Sequence, residues 1–132
     1  MINISKRLEA ISNLVPNNSR IIDIGCDHGL LDIYLYQHNI SKKIICTDIN
    51  QNALNNAILN IKKNKLEKHI ETRLGNGLEV LNDEDDIDTI IISGMGSHTI
   101  VGILKNNIIT KKDSKNICFY YLFFIYLCRI KK

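Results

Sequence analysis

Carboxylates and glycines alternate at the end of an apolar run near the start of the chain. Residues 21–29 read Ile-Ile-Asp-Ile-Gly-Cys-Asp-His-Gly, and a second apolar run, residues 44–47, ends on Asp48. Asp48 follows Gly25 by roughly 20 residues, the separation at which an acidic side chain at the tip of the next strand accepts hydrogen bonds from ribose hydroxyls. The pattern predicts a pocket for an adenosine-type cofactor.

The first loop lacks the phosphate-binding pattern of dinucleotide sites. Such sites carry G-x-G-x-x-G at the start of a helix, so that backbone amides and the helix dipole meet negative phosphate. Here Asp23 and Asp27 flank Gly25 and would repel phosphate. Two carboxylates suit a cationic cofactor, such as S-adenosylmethionine with its sulfonium and ammonium groups. The loop therefore favours methyl transfer over hydride transfer and predicts S-adenosylmethionine as the cofactor.

Three further loops follow predicted strands and should face the same crevice. Asp48, with Ile49 beside it, is placed to hold the ribose, and Asn76 is placed to bind the exocyclic amine of the adenine. Small residues in the fourth loop leave room beside the sulfonium methyl for an incoming planar base. The predicted cofactor-binding residues are Asp23, Gly25, Cys26, Asp27, Gly29, Asp48, Ile49, Asn76, Gly77, Gly94, Met95 and Gly96.

His28 is the only histidine within these loops. It is either a hydrogen-bond donor that shapes the loop or a catalytic residue, and it is the one candidate catalytic residue. Methyl transfer to a ring nitrogen depends on alignment and electrostatics more than on a strong base, which favours the first role. Cys26 and Cys46 are expected to be small core residues, and no metal site is predicted.

The composition is that of an ordinary soluble globular domain. The chain has 132 residues, of which 45% are apolar and 23% charged, so it can bury a core and is not expected to be disordered. The net charge of +3 permits contact with nucleic acid without requiring it. A solvated face that RNA phosphates could also use is formed by Lys42, Lys43, Lys62, Lys63, Lys65 and Lys68.

Cysteine spacing and the amino-terminal residues indicate the cell compartment. Four cysteines without C-x-x-C spacing argue against a disulfide framework or a zinc ribbon. The first 15 residues lack the uninterrupted apolar core of a signal peptide. We expect a cytoplasmic protein with reduced thiols, and we favour a monomer.

Strand and helix patterns alternate along the first 108 residues. A surface helix closes at Pro16, and Asn50 is placed to cap a longer helix whose apolar face holds Leu54, Ala57, Ile58 and Ile61. Strands are predicted at 20–24, 43–47, 70–74 and 87–93, and helices at 30–37 and 51–64. This repetition predicts an α/β, Rossmann-like fold with a mostly parallel sheet, whose ligand lies beyond the carboxyl ends of the strands.

Residues 109–132 break this pattern. A polar run over residues 111–115 precedes the apolar block 117–128, which is shorter than the roughly 20 residues that a membrane-spanning helix needs. A buried strand or an aggregation-prone tail is the better interpretation, and no membrane association is predicted. The chain is therefore divided into an incomplete domain, residues 1–108, and an atypical tail, residues 109–132, which is either frameshifted or an edge strand.

Four segments together resemble a known enzyme family. They are Asp-Ile-Gly-Cys-Asp-His-Gly at 23–29, Asp-Ile-Asn at 48–50, Arg-Leu-Gly-Asn-Gly-Leu at 73–78 and Ser-Gly-Met-Gly at 93–96. The combination is similar to the bacterial tRNA (adenine(22)-N1)-methyltransferases, over about residues 8–104. The resemblance implies a class I methyltransferase domain of Rossmann-like fold, which uses S-adenosylmethionine to methylate N1 of an adenine in tRNA, followed by a helical domain.

Three features depart from the pattern of that family. Asn76 stands where the family usually has Asp, which weakens the adenine contact, and Ser97 replaces the last glycine of Gly-Met-Gly-Gly. The later strands and the helical domain of the family have no counterpart, so the chain is expected to be truncated and incomplete on its carboxy-terminal side. An unpaired sheet edge would follow, and we expect such a fragment to bind cofactor poorly.

Two other functions remain open beside tRNA methylation. One is a truncated, non-catalytic remnant, or a module that binds S-adenosylmethionine or RNA without turnover. The other is a small-molecule methyltransferase, whose turnover would be indifferent to RNA. A nicotinamide-dependent enzyme is least favoured because the phosphate loop is missing. Transfer of a labelled methyl group to unmodified tRNA separates these alternatives.

Overall fold

The fold is a six-stranded sheet with helices packed on both faces. The computed structural model describes residues 1–107, 117–122 and 125–130. The helices are α1 (Lys6–Leu14), α2 (Leu30–Gln37), α3 (Gln51–Lys63) and α4 (Ser97–Asn107), and a 3-10 turn spans Gly77–Val80. The strands are β1 (Ser19–Ile24), β2 (Ser41–Asp48), β3 (Ile70–Leu74), β4 (Thr89–Ser93), β5 (Ile117–Leu122) and β6 (Ile125–Ile130).

The strand order is β3-β2-β1-β4-β6-β5. Strands β1 to β4 pair in parallel, whereas β6 is antiparallel to both β4 and β5. The predicted α/β fold with a mostly parallel sheet is confirmed. The chain winds outward from β1 to β3 and then crosses back to β4, so the winding reverses between β1 and β4. In such sheets, ligands bind beyond the carboxyl ends of the strands at this point.

Successive side chains of the central strands enter two separate apolar layers. Ile21 and Ile91 pack in the layer that contains residues of α1, α2 and α3, whereas Ile22 and Ile90 pack with Ile100 of α4. Each of these isoleucines is at most 1% exposed. Coverage on both faces explains why β1 and β4 read as nearly unbroken apolar runs.

Side-chain caps set the starts of α1 and α3. Ser5 Oγ accepts a hydrogen bond from the N–H of Leu8, and Asn50 Oδ1 accepts from the N–H groups of Asn52 and Ala53. The predicted Asn50 cap is therefore confirmed. The prediction that Ile58 lies on the buried face of α3 is wrong: it is 40% exposed because it falls at the margin of the stripe formed by the three other apolar residues.

Predicted and observed bounds agree most closely where turn residues flank an element. The bounds of α2 and β3 match the predicted ranges, whereas β4 begins at Thr89, two residues later than predicted. The apolar block 117–128 contributes two antiparallel strands, β5 and β6, rather than one. The polar run 111–115 lies outside the described residues. Within the described part of the chain, none of the helices has the length and apolar character needed to span a membrane.

Candidate functional site

A cleft opens at the carboxyl ends of β1, β2 and β4, where the winding of the sheet reverses. Its volume is about 510 Å³, which is within the usual range for small-molecule sites. The loops after three of the four parallel strands converge on it. The predicted residues that line it are Asp23, Gly25, Cys26, Asp27, His28, Asp48, Gly94 and Met95.

The loop after β1 turns sharply through three residues with positive φ. Gly25, Asp27 and Gly29 have φ angles of 75°, 48° and 69°. Glycine adopts such angles at little cost, while Asp is one of the few other residues that tolerate them. The N–H groups of Gly25 and Cys26 both donate to the carbonyl oxygen of Thr47, at 2.8 and 3.1 Å. These two bonds hold the first loop against the end of β2.

The Asp48 carboxylate lies where the first and second loops meet. Its Oδ2 accepts a hydrogen bond from the N–H of Asp27 at 3.3 Å, and its Oδ1 accepts from the N–H of Asn50 at 2.9 Å. The side chain is half-buried and faces the cleft. A carboxylate has about four acceptor positions, so two remain for hydroxyl groups of a ligand.

Asp23 and Asp32 form a buried carboxyl pair beneath the cleft, at 3% and 0% exposure. Burial raises the pKa of Asp23 well above its usual value, and repulsion from Asp32 raises it further. Burial also raises the pKa of Asp32, to about 7. Adjacent buried carboxyls are stable when one of them holds a proton and donates it to the other. Burial thus disfavours a charge on Asp23, whereas Asp27 and Asp48 are the more exposed carboxylates of the cleft.

Cys26 and Cys46 are free thiols in the core, as predicted. The Cys46 thiol donates a hydrogen bond to Asp32 Oδ2, with Sγ 2.9 Å from the oxygen. The Sγ atoms of both cysteines and a carboxylate oxygen of Asp32 lie within 4.8 Å of one another. Burial raises the pKa of Cys46 well above its usual value, so this thiol remains a protonated donor rather than a nucleophile.

The loop after β4 forms the wall opposite the first loop. Gly94 has a φ of 72°, and Met95 follows it into the cleft. A Cβ on Gly25 would lie only 2.4 Å from Cε of Met95. Glycine at position 25 thus lets the Met95 side chain lie across the first loop, and the two loops meet at the point where the winding reverses.

The third loop lies at the same edge of the sheet but does not line this cavity. The N–H of Gly75 donates to the carbonyl oxygen of Asp48 at 3.1 Å, which places the loop beside the end of β2. Asn76 is exposed, whereas Gly77 is buried and packs against Ile103. The structure thus brings Asn76 near the Asp48 end of the cleft without making it part of the wall.

Three other predicted residues also lie outside the lining. Ile49 is 71% exposed beside Asp48, and a Cβ on Gly96 would meet no atom within 4 Å. Gly29 lies beneath the loop, where a Cβ would be 3.2 Å from Cβ of Ala57. Glycine at position 29 therefore permits the close approach of α3.

The ring of His28 lines the cleft but is largely exposed. Its side chain is 58% exposed, and Nε2 lies 3.7 Å from Oδ2 of Asp27. Its carbonyl oxygen accepts a hydrogen bond from Nδ2 of Asn60 at 2.9 Å, which anchors the loop to α3. The backbone of His28 therefore has a structural role, and its ring is available to a ligand at the mouth of the cleft.

Sequence reasoning missed the contribution of the amino-terminal helix. Ser5, Arg7 and Leu8 line the cleft, although they precede the first strand and belong to no glycine-rich loop. The sequence signal is limited to the helical face: Arg7 lies four residues before the apolar Ile11 and hence on the same face, which does not identify the cleft. A cation on the buried face of an amphipathic helix indicates a contact other than bulk solvent.

The lysines that could serve RNA phosphates lie away from the cleft. Lys42 and Lys43 are at the amino end of β2, and Lys68 precedes β3, so they occupy the opposite edge of the sheet. A second cavity, of about 360 Å³, is lined there by Lys42, Lys43 and Lys68 together with Glu67 and Glu71. The mixed charge at that edge is typical of a solvated surface.

Comparisons with known proteins give a consistent result. A family model described as a methyltransferase domain matches residues 4–120. The tRNA (adenine(22)-N(1))-methyltransferase of Bacillus subtilis (strain 168) is 34% identical over 102 residues, which are 77% of this chain and 42% of that protein. The chain thus spans less than half the length of this relative.

Solved structures extend the comparison to the fold. TrmK of M. capricolum, in complex with the cofactor product S-adenosyl-homocysteine, is 36% identical, has a TM-score of 0.79, and is matched over 98% of this chain and 70% of that one. A protein of the NADB-Rossmann superfamily from Streptococcus agalactiae is 27% identical, with a TM-score of 0.84 over 98% of this chain and 69% of that one.

Each of these two solved structures is matched over 98% of this chain, and the methyltransferase-domain model matches most of it. The chain therefore belongs to the methyltransferase domain family and, within it, to the tRNA (adenine(22)-N(1))-methyltransferases.

Proposed function

We propose that the chain binds S-adenosylmethionine in the cleft and transfers its methyl group to N1 of an adenine in tRNA. The observation that carries the proposal is the convergence of three strand-end loops, rich in glycine and acidic residues, on one cavity. The relative from M. capricolum is a TrmK seen with S-adenosyl-homocysteine, and the B. subtilis relative bears the name of a tRNA (adenine(22)-N(1))-methyltransferase.

The residues of the cleft fit such a cofactor. The carboxylate of Asp48, held by two backbone N–H groups, would accept hydrogen bonds from the ribose hydroxyls. Ile49, exposed next to it, would cover the adenosine, and Asn76 would reach the adenine from the end of β3. Gly25, whose positive φ suits glycine, would give the first loop the tight turn that places its backbone beside the cofactor.

Charge complementarity supports methyl transfer from a sulfonium. When bound, S-adenosylmethionine supplies an electrophilic methyl group, and its transfer moves the positive charge from the sulfur to the base. Asp27 and Asp48 keep negative charge beside the cleft, so the cation is favoured before and after the transfer. Gly94 has no side chain, so the planar base would lie in the cleft beside Gly94 and Met95. The base must leave its stack to reach this depth.

A strong general base is not required in this scheme. N1 of adenine already has a lone pair, so alignment of the base with the methyl group contributes most. His28 would act at the mouth of the cleft through hydrogen bonding, since its ring is largely exposed. We further propose that the protein acts as a monomer in the cytoplasm, where tRNA is found.

Two measurements on the same preparation test the proposal. Calorimetry with S-adenosylhomocysteine should give one site per chain, and a tritiated methyl group should be transferred to unmodified tRNA with the label on N1 of adenine. Asp48→Ala should lower the affinity for S-adenosylhomocysteine about tenfold, because it removes hydrogen bonds to a charged acceptor. Asp83→Ala is the matched control, since Asp83 is exposed and does not line the cleft.

Outcomes of these measurements distinguish two functions. The alternative to the proposed enzyme is a module that binds the cofactor without turnover. Stoichiometric binding of S-adenosylhomocysteine without label in tRNA would support that module. Absence of binding, or equal losses in both variants, would refute the assignment of the cleft.

A further inference from the structure

Arg7 places a cation on the wall of an otherwise acidic cleft. It lies in the first turn of α1, is exposed, and lines the same cavity as Asp27 and Asp48. Among the residues that the structure describes, Arg7 makes no ion pair and no side-chain hydrogen bond. A guanidinium that faces a ligand cavity without a partner is suited to bind an anion, and a carboxylate in particular.

Packing of α1 fixes Arg7 over the loop after β4. Ile11, one helical turn further on the same face, is completely buried, so this face of the helix is turned towards the fold. A Cβ on Gly94 would lie 3.2 Å from Nη2 of Arg7. The guanidinium therefore lies against the backbone of Gly94, close to the point where the winding of the sheet reverses.

We propose that Arg7 binds the carboxylate in the amino-acid part of the cofactor, an inference that rests on the proposed function. That part of S-adenosylmethionine carries two cations and one anion. Asp27 and Asp48 suit the cations but would repel the carboxylate. Of the described residues that line the cleft, Arg7 is the only one with a permanent positive charge. Its guanidinium supplies the positive charge for the carboxylate that the acidic loops lack.

The position of Arg7 favours the cofactor over an RNA phosphate. Nη2 lies against Gly94 of the loop after β4, and Leu8 of the same helix and its N-cap Ser5 line the same cavity as the loop after β1. An RNA backbone would approach the outer surface of the cleft, whereas the amino-acid part of the cofactor must lie beside the sulfonium and hence between these loops.

Two ligands that differ by one carboxylate test the inference. Affinities for S-adenosylhomocysteine and for its decarboxylated analogue are measured by calorimetry with the full chain. The wild type should bind S-adenosylhomocysteine about tenfold more tightly than the analogue, as a charge-assisted hydrogen bond implies. Arg7→Gln should remove this difference, and Arg7→Lys should keep part of it, because charge remains but the planar fork is lost. Lys6→Gln, which neutralises an exposed neighbour outside the cavity lining, should keep all of it.

Each other outcome has a distinct meaning. If Arg7→Gln weakens both ligands equally, or neither, Arg7 does not bind the carboxylate and the inference is wrong. Loss of tRNA binding with unchanged affinity for S-adenosylhomocysteine would likewise overturn it and assign Arg7 to an RNA phosphate. If the wild type binds neither ligand, the proposed function itself fails. Matching melting temperatures for all variants would exclude misfolding as the cause.

Discussion

Replacement of Asp85 by Asn would remove an ion pair that anchors the segment before β4. Asp85 accepts two hydrogen bonds from the guanidinium of Arg73, from Nη1 to Oδ2 at 2.7 Å and from Nη2 to Oδ1 at 2.8 Å. A third bond, of 2.7 Å, comes from the N–H of Asn82. The side chain of Asp85 is only 9% exposed, so solvent screens this pair less than a surface ion pair.

The size of the effect follows from the pKa of Asp85. The hydrogen bonds from Arg73, with help from the N–H of Asn82, lower this pKa from 3.8 to about 2. At about 1.4 kcal/mol per pKa unit, the lowering corresponds to about 2 kcal/mol of folding free energy at neutral pH. Because the pKa is lower in the folded chain than in the unfolded one, the contribution is present above about pH 4 and disappears as the pH falls towards 2.

Urea unfolding followed by circular dichroism at pH 7 and pH 3 measures this contribution. We expect Asp85→Asn to lower the free energy of unfolding by about 2 kcal/mol at pH 7 and by about half as much at pH 3. Glu84→Gln removes a neighbouring exposed charge and should change little at either pH. A loss below about 0.5 kcal/mol at pH 7, or an equal loss at both pH values, would refute the reasoning, since surface substitutions alone produce effects of that size.

Two further substitutions test the cleft itself. Gly25→Ala should lower the free energy of unfolding by about 1–2 kcal/mol, because φ is 75° there and the new Cβ would displace Met95; it should also weaken S-adenosylhomocysteine binding. Gly96→Ala, whose Cβ would meet no neighbour, is the control, and equal melting curves for the two would contradict this account. Asp32→Asn should weaken the pH dependence of stability. Burial raises the pKa of Asp32 to about 7, so the free energy of unfolding of the wild type falls as the pH rises from about 4 to about 7. The amide at position 32 does not ionise and does not contribute to this fall. If the free energy of unfolding changes by the same amount between pH 5 and pH 8 in the wild type and in the variant, Asp32 does not have this role.

Local patterns were sufficient to predict the elements that carry the cleft. The unbroken apolar run of β1 and the glycines around Asp27 predicted a strand, a tight loop and a helix, because these depend on residues close in sequence. The Asp48 site was predictable for the same reason, since its distance along the chain from Gly25 is a property of the strand–helix–strand unit.

Residues whose role depends on tertiary packing were not predictable in this way. Arg7 reaches the cleft only because Ile11 fixes α1 against the core, and nothing in the loops points to it. Burial raises the pKa of Asp23, and repulsion from Asp32, which comes from the next helix, raises it further. Residue type alone therefore does not reveal this shift at the floor of the cleft, where burial opposes ionisation of Asp.

The wall of the cleft formed by the loop after β4 also depends on a strand pair that carries none of the family motifs. β4 pairs with β1 on one side and with β6 on the other, with Ser93 opposite Ile125 and Ile92 opposite Tyr126. With β1 as its only partner, β4 would be an edge strand with unpaired N–H and C=O groups next to Gly94. Hydrogen bonds of the sheet come from the backbone, so an extended segment can supply them without a particular sequence motif. The position of Gly94 and Met95 is thus supported by backbone hydrogen bonds from β6, which lies outside the four motif segments.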